Sequence, residues 1–283
     1  MARERPESDD RVRRATRLLG VAIVPFLAVA SVLLYLLPTH TRELFAWTID
    51  PPLTAVFLGA AYIGGIWFFV GVLRSRRWHR VKYGFPAVAV FATLLGIATF
   101  VHWDRFHFGH ISFVAWVTLY VVTPFLVVGV AARNWRADPG TPDDRDFRLP
   151  LLPRAVFAAV GLAALVCGLT LFVVPAAFAD EWAWPLTPLT ARVVGAILTL
   201  PGVVNIWMLV DARWSAFRAI VQAEIVSLCF IAVAVAVARA DLDQTHAAAP
   251  AFVVGIAVSL VAFVGFYAWC ERRSAARSHR PST

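Results

Sequence analysis

The chain has 283 residues, 60% of them hydrophobic and 16% charged, which leaves too little polar surface to coat a soluble domain of that size. A formal net charge of +8 would suit a nucleic-acid binder, but the basic residues are placed as a membrane protein places them. The three cysteines, Cys167, Cys229 and Cys270, lie in or at the ends of apolar segments and offer neither a disulfide framework nor a Cys-based zinc site.

In chain order, a tail with six arginines from Arg3 to Arg17 leads into an apolar run from Leu18 to Leu37. A basic stretch before an apolar run also fits a secretory signal, with Ala28-Val29-Ala30 as a weak cleavage site. The run continues past Ala30, however, and has an internal counterpart later in the chain, so it reads as a first span. Further runs follow at Leu53 to Leu73, Phe85 to Trp103, Ile111 to Ala132, Ala155 to Val174, Ala191 to Val210, Phe217 to Ala238 and Ala251 to Cys270. Each is about the 20 residues that a helix needs to cross ~30 Å of hydrocarbon. A barrel would show shorter alternating segments. The expected fold is therefore an all-α membrane protein of eight transmembrane helices.

Between the first two runs lies Glu43-Leu44-Phe45-Ala46-Trp47, then a short Pro-containing turn and Pro52-Leu53-Thr54-Ala55. The same pattern returns as Asp180 to Trp184 and Pro188 to Ala191. Proline suits the first turn of a helix, and indole rings favour head-group depth, so a helix start with an aromatic anchor accounts for most of it. A functional lip around an outer vestibule is the alternative.

Self-similarity extends further. Gly59-Ala60 recurs as Gly195-Ala196 and Arg77-Trp78 as Arg213-Trp214, at a separation of 136, while Arg17 and Arg154, or Trp47 and Trp184, stand 137 apart. These matches divide the chain into a four-helix repeat over 1–132, a polar linker over 133–154 containing Pro139-Gly140-Thr141-Pro142, and a second four-helix repeat over 155–283. Four is an even number, so both copies enter the membrane from the same side as parallel repeats.

With the N-terminus inside, 22 of the 26 basic residues fall on the inner side, leaving Arg42, Arg105, Arg192 and Arg239 outside. The positive-inside rule then puts both termini and the linker in the cytoplasm. The same charge attracts anionic lipid head groups. Lys82 is the single lysine, a composition suggesting a GC-rich bacterial genome and hence a bacterial plasma membrane.

No phosphate loop, His-Glu-x-x-His or Gly-x-Ser-x-Gly signature is present, so an enzyme is not the expectation and no cofactor is required. Two groups of residues invite chemistry. His102, His107, His110 and His246 lie on the outer side, where imidazoles serve as metal or haem ligands; interfacial loop histidines look the same, and no ligand spacing here is diagnostic. Glu224 is the one acidic residue well inside a span, with Gln222 near and Asn205 at similar depth on the sixth helix. An intramembrane carboxylate is a functional candidate by default, against which stands a hydrogen bond to Asn205 or Arg218 acting as helix glue. Its counterpart in the first repeat is Val88.

The second and sixth spans carry Gly64-Gly65 and Leu200-Pro201-Gly202 at matching positions. Proline and paired glycines weaken a helix, and matched weaknesses in two halves point to a binding site. The expectation is a broken pair of helices in which Tyr62, Gly65 and Trp67 face Thr199, Pro201 and Asn205 around a midplane cavity. Close packing of small residues with a passive kink is the competing account. The leading function is thus a small-solute or lipid binding or transport protein with its site between the repeats. A redox protein holding metal or haem at its outer face, or a structural subunit with no ligand, are the alternatives. Homo-oligomerisation is left open, and nucleic acid is not an expected partner.

Overall fold

A computed structural model describes residues 9–143 and 146–278; Arg3, Arg5, Arg145 and Arg280 of the basic residues counted above lie outside them. Among the described residues, eight helices are long and apolar enough to cross a membrane: α1 (Arg14–Ser31, extended by a π turn over Val32–Leu36), α2 (Pro52–Arg74), α3 (Gly84–Val101), α4 (Ile111–Asn134), α5 (Leu151–Val173), α6 (Pro188–Val210), α7 (Trp214–Val237) and α8 (Ala248–Ser278). An all-helical chain of this kind is compatible with a multi-pass membrane protein, because only internally hydrogen-bonded helices or closed barrels tolerate hydrocarbon.

The helix starts follow local chemistry. Pro188 sits at the first position of α6 behind Thr187, whose side chain accepts from Thr190 N–H while Thr190 Oγ1 accepts from Thr187 N–H, a reciprocal capping box. At α2 the cap comes from far away: Asp241 Oδ2 accepts from Leu53 N–H at 2.8 Å.

The helices pair as α1 with α2, α2 with α7, α3 with α4, α3 with α6, α5 with α6, and α7 with α8. Helices α2 and α6 are the most buried and α8 the least. The 133–154 segment is less of a free linker than its composition suggests, since α4 runs to Asn134 and a 3-10 turn follows over Trp135–Ala137.

Three pairs of backbone hydrogen bonds recur at the separations seen in the sequence. Val12 N–H donates to Arg76 O and Leu149 N–H to Ala212 O; Trp78 N–H donates to Asp10 O and Trp214 N–H to Phe147 O; His107 N–H donates to Ala46 O and Asp243 N–H to Ala183 O. The first two pairs stitch the segments before α1 and α5 to the loops after α2 and α6, and the third joins the loops after α1 and α5 to those after α3 and α7.

Two sequence expectations change here. Trp47 and Trp184 are 1% and 0% exposed, so they are core residues rather than head-group anchors. Trp47 packs edge-on to Trp116 and tilted on Phe106, while Trp184 packs on Phe57 and donates to Thr54 Oγ1 at 2.8 Å. The residue before each indole is tied to a distant loop, Ala46 O accepting from His107 N–H and Ala183 O from Asp243 N–H. Second, α2 and α6 are continuous α-helices through Gly64-Gly65 and Pro201. The glycines serve contact instead: a Cβ at Gly64 would meet Ser227 Cβ at 2.8 Å and Ala223 O at 3.0 Å, and one at Gly202 would meet Gly161 O at 2.6 Å.

Candidate functional site: an apolar cavity between the helices

Close approach of α7 to α2 at Gly64 sets Glu224 against the middle of the helical assembly, and Asn205 reaches the same region from α6. There the helices leave a cavity of about 280 Å³, lined by residues of all eight. Its walls are mostly aliphatic and aromatic, with Phe57, Phe68, Phe91 and Phe263 among them.

The polar groups on this surface are few. Tyr62 OH and Tyr120 OH share a hydrogen bond of 2.6 Å, with the Phe91 ring edge-on to both. Both carboxylate oxygens of Glu224 are buried without a hydrogen-bond partner among the described residues, and so are both amide atoms of Asn205, a residue 1% exposed. Neither partner expected for Glu224 reaches it: Arg218 pairs with Glu271 at 2.6 Å. Gln222 Nε2 donates to Tyr267 OH at 2.7 Å. A buried polar group without a partner costs about 1–3 kcal/mol, and more if charged, so two such residues lining one cavity demand an explanation.

Of the residues singled out in the sequence, Tyr62, Gly64, Gly65, Pro201, Asn205 and Glu224 line this cavity. Trp67, Thr199 and Gly202 do not. Trp67 is 46% exposed and points away from the core. Thr199 is buried and returns its hydroxyl to Ala196 O at 2.7 Å. Gly202 packs on α5. The side of a helix that each residue occupies, rather than its depth, separates the two sets.

The histidines are engaged locally. A guanidinium only donates, so Arg192 Nη1 at 2.7 Å uses the Nε2 lone pair of His102; burial, and then the Arg192 charge, lower that imidazole's pKa. His107 Nδ1 must donate to Phe45 O at 3.0 Å, leaving Nε2 to accept from Thr48 Oγ1 at 3.2 Å. His110 Nδ1 accepts from Ser112 N–H and caps α4. His246 Nδ1 lies 3.1 Å from Asp243 Oδ2. Among the described residues, no three of these four gather at ligand distance. The one such group is Asp10, His79 and Asp138, where Lys82 and Arg213 already occupy Asp138.

That last cluster is a structural centre that sequence reading passes over. Arg213 Nη2 lies 2.6 Å from Asp138 Oδ2 and 2.6 Å from Asp211 Oδ2, Lys82 Nζ is 2.5 Å from Asp138 Oδ2, and Tyr83 OH donates to Asp211 Oδ2 at 2.8 Å. Asp143 takes Arg80 at 2.6 Å and also pairs with Arg77. Burial would raise the Asp138 carboxyl, yet hydrogen bonds from Arg213, Lys82 and Gly140 N–H hold it well below the usual carboxylate range. The readable signal was the run of aspartates facing two loops rich in arginine.

Comparison with protein-family models, with curated proteins and with solved structures finds no match.

Proposed function

We propose that the protein is a multi-pass protein of a bacterial plasma membrane that binds, and carries or presents, a lipophilic small molecule in the cavity between two tandem four-helix units. One observation carries the reading: an apolar cavity at the meeting of the two halves holds Glu224 and Asn205 with all four of their polar atoms unpaired. A ligand supplying hydrogen bonds would relieve that cost, and sites in repeat-built membrane proteins characteristically lie between the repeats. The recurring hydrogen bonds at the ends of α2 and α6, and the crosswise pairing of α2 with α7 and of α6 with α3, support the tandem division.

Native mass spectrometry of the purified protein tests the reading. Wild type is expected to retain a lipophilic molecule, whereas the Ala61→Phe/Ala164→Phe variant, which fills the cavity from α2 and α5, is expected to lose it. Equal retention by both, or none by wild type in a lipid nanodisc, would overturn it.

The basic end, holding the termini and the segment between the units, is assigned to the cytoplasm from the distribution of arginine. A green fluorescent reporter fused after Ala276 should therefore fluoresce, and alkaline phosphatase inserted after Phe108 should be active. The opposite pair of results would reverse the orientation.

A further inference from the structure

The charge balance of the cavity narrows its ligand, on the premise that the cavity is a binding site. The ionisable side chains that line it are Glu224, Tyr62 and Tyr120, all acids, and no lysine, arginine or histidine is among the lining residues. An anionic ligand would bring a second uncompensated charge to a place with no counter-charge. Fatty acids and other carboxylates are therefore disfavoured.

A neutral alcohol could hydrogen-bond to Glu224 only with the carboxyl held protonated, because an ionised carboxylate in apolar surroundings needs a cation beside it. The basic residue nearest to Glu224 along α7, Arg218, is committed to Glu271 through two hydrogen bonds of 2.9 and 2.6 Å. We propose that the ligand is a lipophilic amine, bound as its ammonium against the Glu224 carboxylate.

Three features of the site fit that chemistry. An ammonium carries three donors and no acceptor, and the two Glu224 carboxylate oxygens on the cavity lining are without partners among the described residues. Ring faces attract cations through their quadrupoles, and Tyr62, Tyr120, Phe68 and Phe91 all contribute to the lining. The remaining wall is aliphatic and suits an apolar body, whose transfer from water favours binding.

The test uses the full-length protein in nanodiscs at neutral pH with three probes of equal apolar size: phenylbutylamine, phenylbutanol and phenylpentanoate. Wild type should bind the amine more tightly than the alcohol by about tenfold or more, the worth of one charge-assisted hydrogen bond, and the carboxylate least. In Glu224→Gln the preference for the amine over the alcohol should vanish. Equal binding of amine and alcohol by wild type, or an amine preference that survives Glu224→Gln, would overturn the proposal. If Glu224→Gln does not fold, the wild-type ranking of the three probes decides alone. Should amine and alcohol bind equally and the Ala61→Phe/Ala164→Phe variant lose both, the cavity remains a site and only the amine falls. Absence of binding by any probe sinks both readings.

Discussion

Arg213→Ala is expected to lower unfolding free energy by about 3–5 kcal/mol, the usual consequence of removing one partner from a buried ion pair. Arg213 is 5% exposed and bonds to Asp138, Asp211 and the Thr141 carbonyl. Its loss leaves Asp138 with Lys82 and the Gly140 N–H, and Asp211 with the Tyr83 hydroxyl and the backbone N–H of residue 213. The damage also crosses the molecule, because Asp138 precedes α5 whereas Lys82 precedes α3 and Arg213 precedes α7. Thermal unfolding in detergent, followed by circular dichroism, should show a large drop for Arg213→Ala. The paired Arg213→Met/Asp211→Leu variant should lose less, since Asp138 keeps Lys82 and no charge is then left without its partner. A drop for Arg213→Ala no larger than for an exposed control such as Arg105→Ala would contradict the network.

The same network predicts the acid limb. The Asp138 and Asp211 carboxyls are depressed despite burial, by hydrogen bonds from Arg213 and others. Stability from a depressed carboxyl is present in full above its unfolded pKa of about 3.9 and is lost as pH falls through the folded value. These two aspartates should accordingly contribute a constant increment from neutral pH to about 4, and lose it only in stronger acid.

The second large effect is expected at the α5–α6 seam. Gly161 and Gly168 on α5 face Gly202 and Gly195 on α6, so that the antiparallel backbones touch. A Cβ built at Gly168 would stand 2.5 Å from Gly195 O, and one at Gly195 would run into Gly168 O. Neither neighbour is a side chain that could swing away. Gly168→Ala and Gly195→Ala should each cost at least the 1–3 kcal/mol typical of overpacking, and Gly168→Val should abolish monodisperse protein. Gly129→Ala and Gly255→Ala, where an added Cβ meets nothing within 4 Å, should be neutral or slightly stabilising because alanine is the better helix former. Size-exclusion profiles and melting temperatures of the four alanine variants would check this. Comparable stability across all four would show that the helices are not in contact there.

The spacing of the apolar runs sufficed for the eight helices because hydrophobic length is a local property: a run either can cross the hydrocarbon or cannot. The observed helices differ from the runs by only a few residues at most ends. The separations of 136 and 137 were likewise readable, and the backbone stitching at Arg76, Trp78, Ala212 and Trp214 recurs with them. Glu224 stood out because a carboxylate in an apolar run has no cheap local explanation.

Direction and partnership were not local. Tyr62 and Trp67 are five residues apart on one helix, yet one lines the cavity and the other faces outward, and only the neighbours of α2 decide which. Gly64-Gly65 and Pro201 looked like breaks because a weakened helix and a closely packed one draw on the same small residues; the nearness of Ser227 and Leu165 distinguishes the two. Trp47 and Trp184 read as interfacial anchors by composition, but rings from distant segments, Phe106 and Trp116 for the one and Phe57 and Phe252 for the other, bury them. The pairing of Asp138 with Lys82 and Arg213 joins residues 56 and 75 positions apart, and the cavity draws on all eight helices. Such features are products of the way the helices pack, which hydrophobic length and periodicity leave undetermined because they act along one segment at a time.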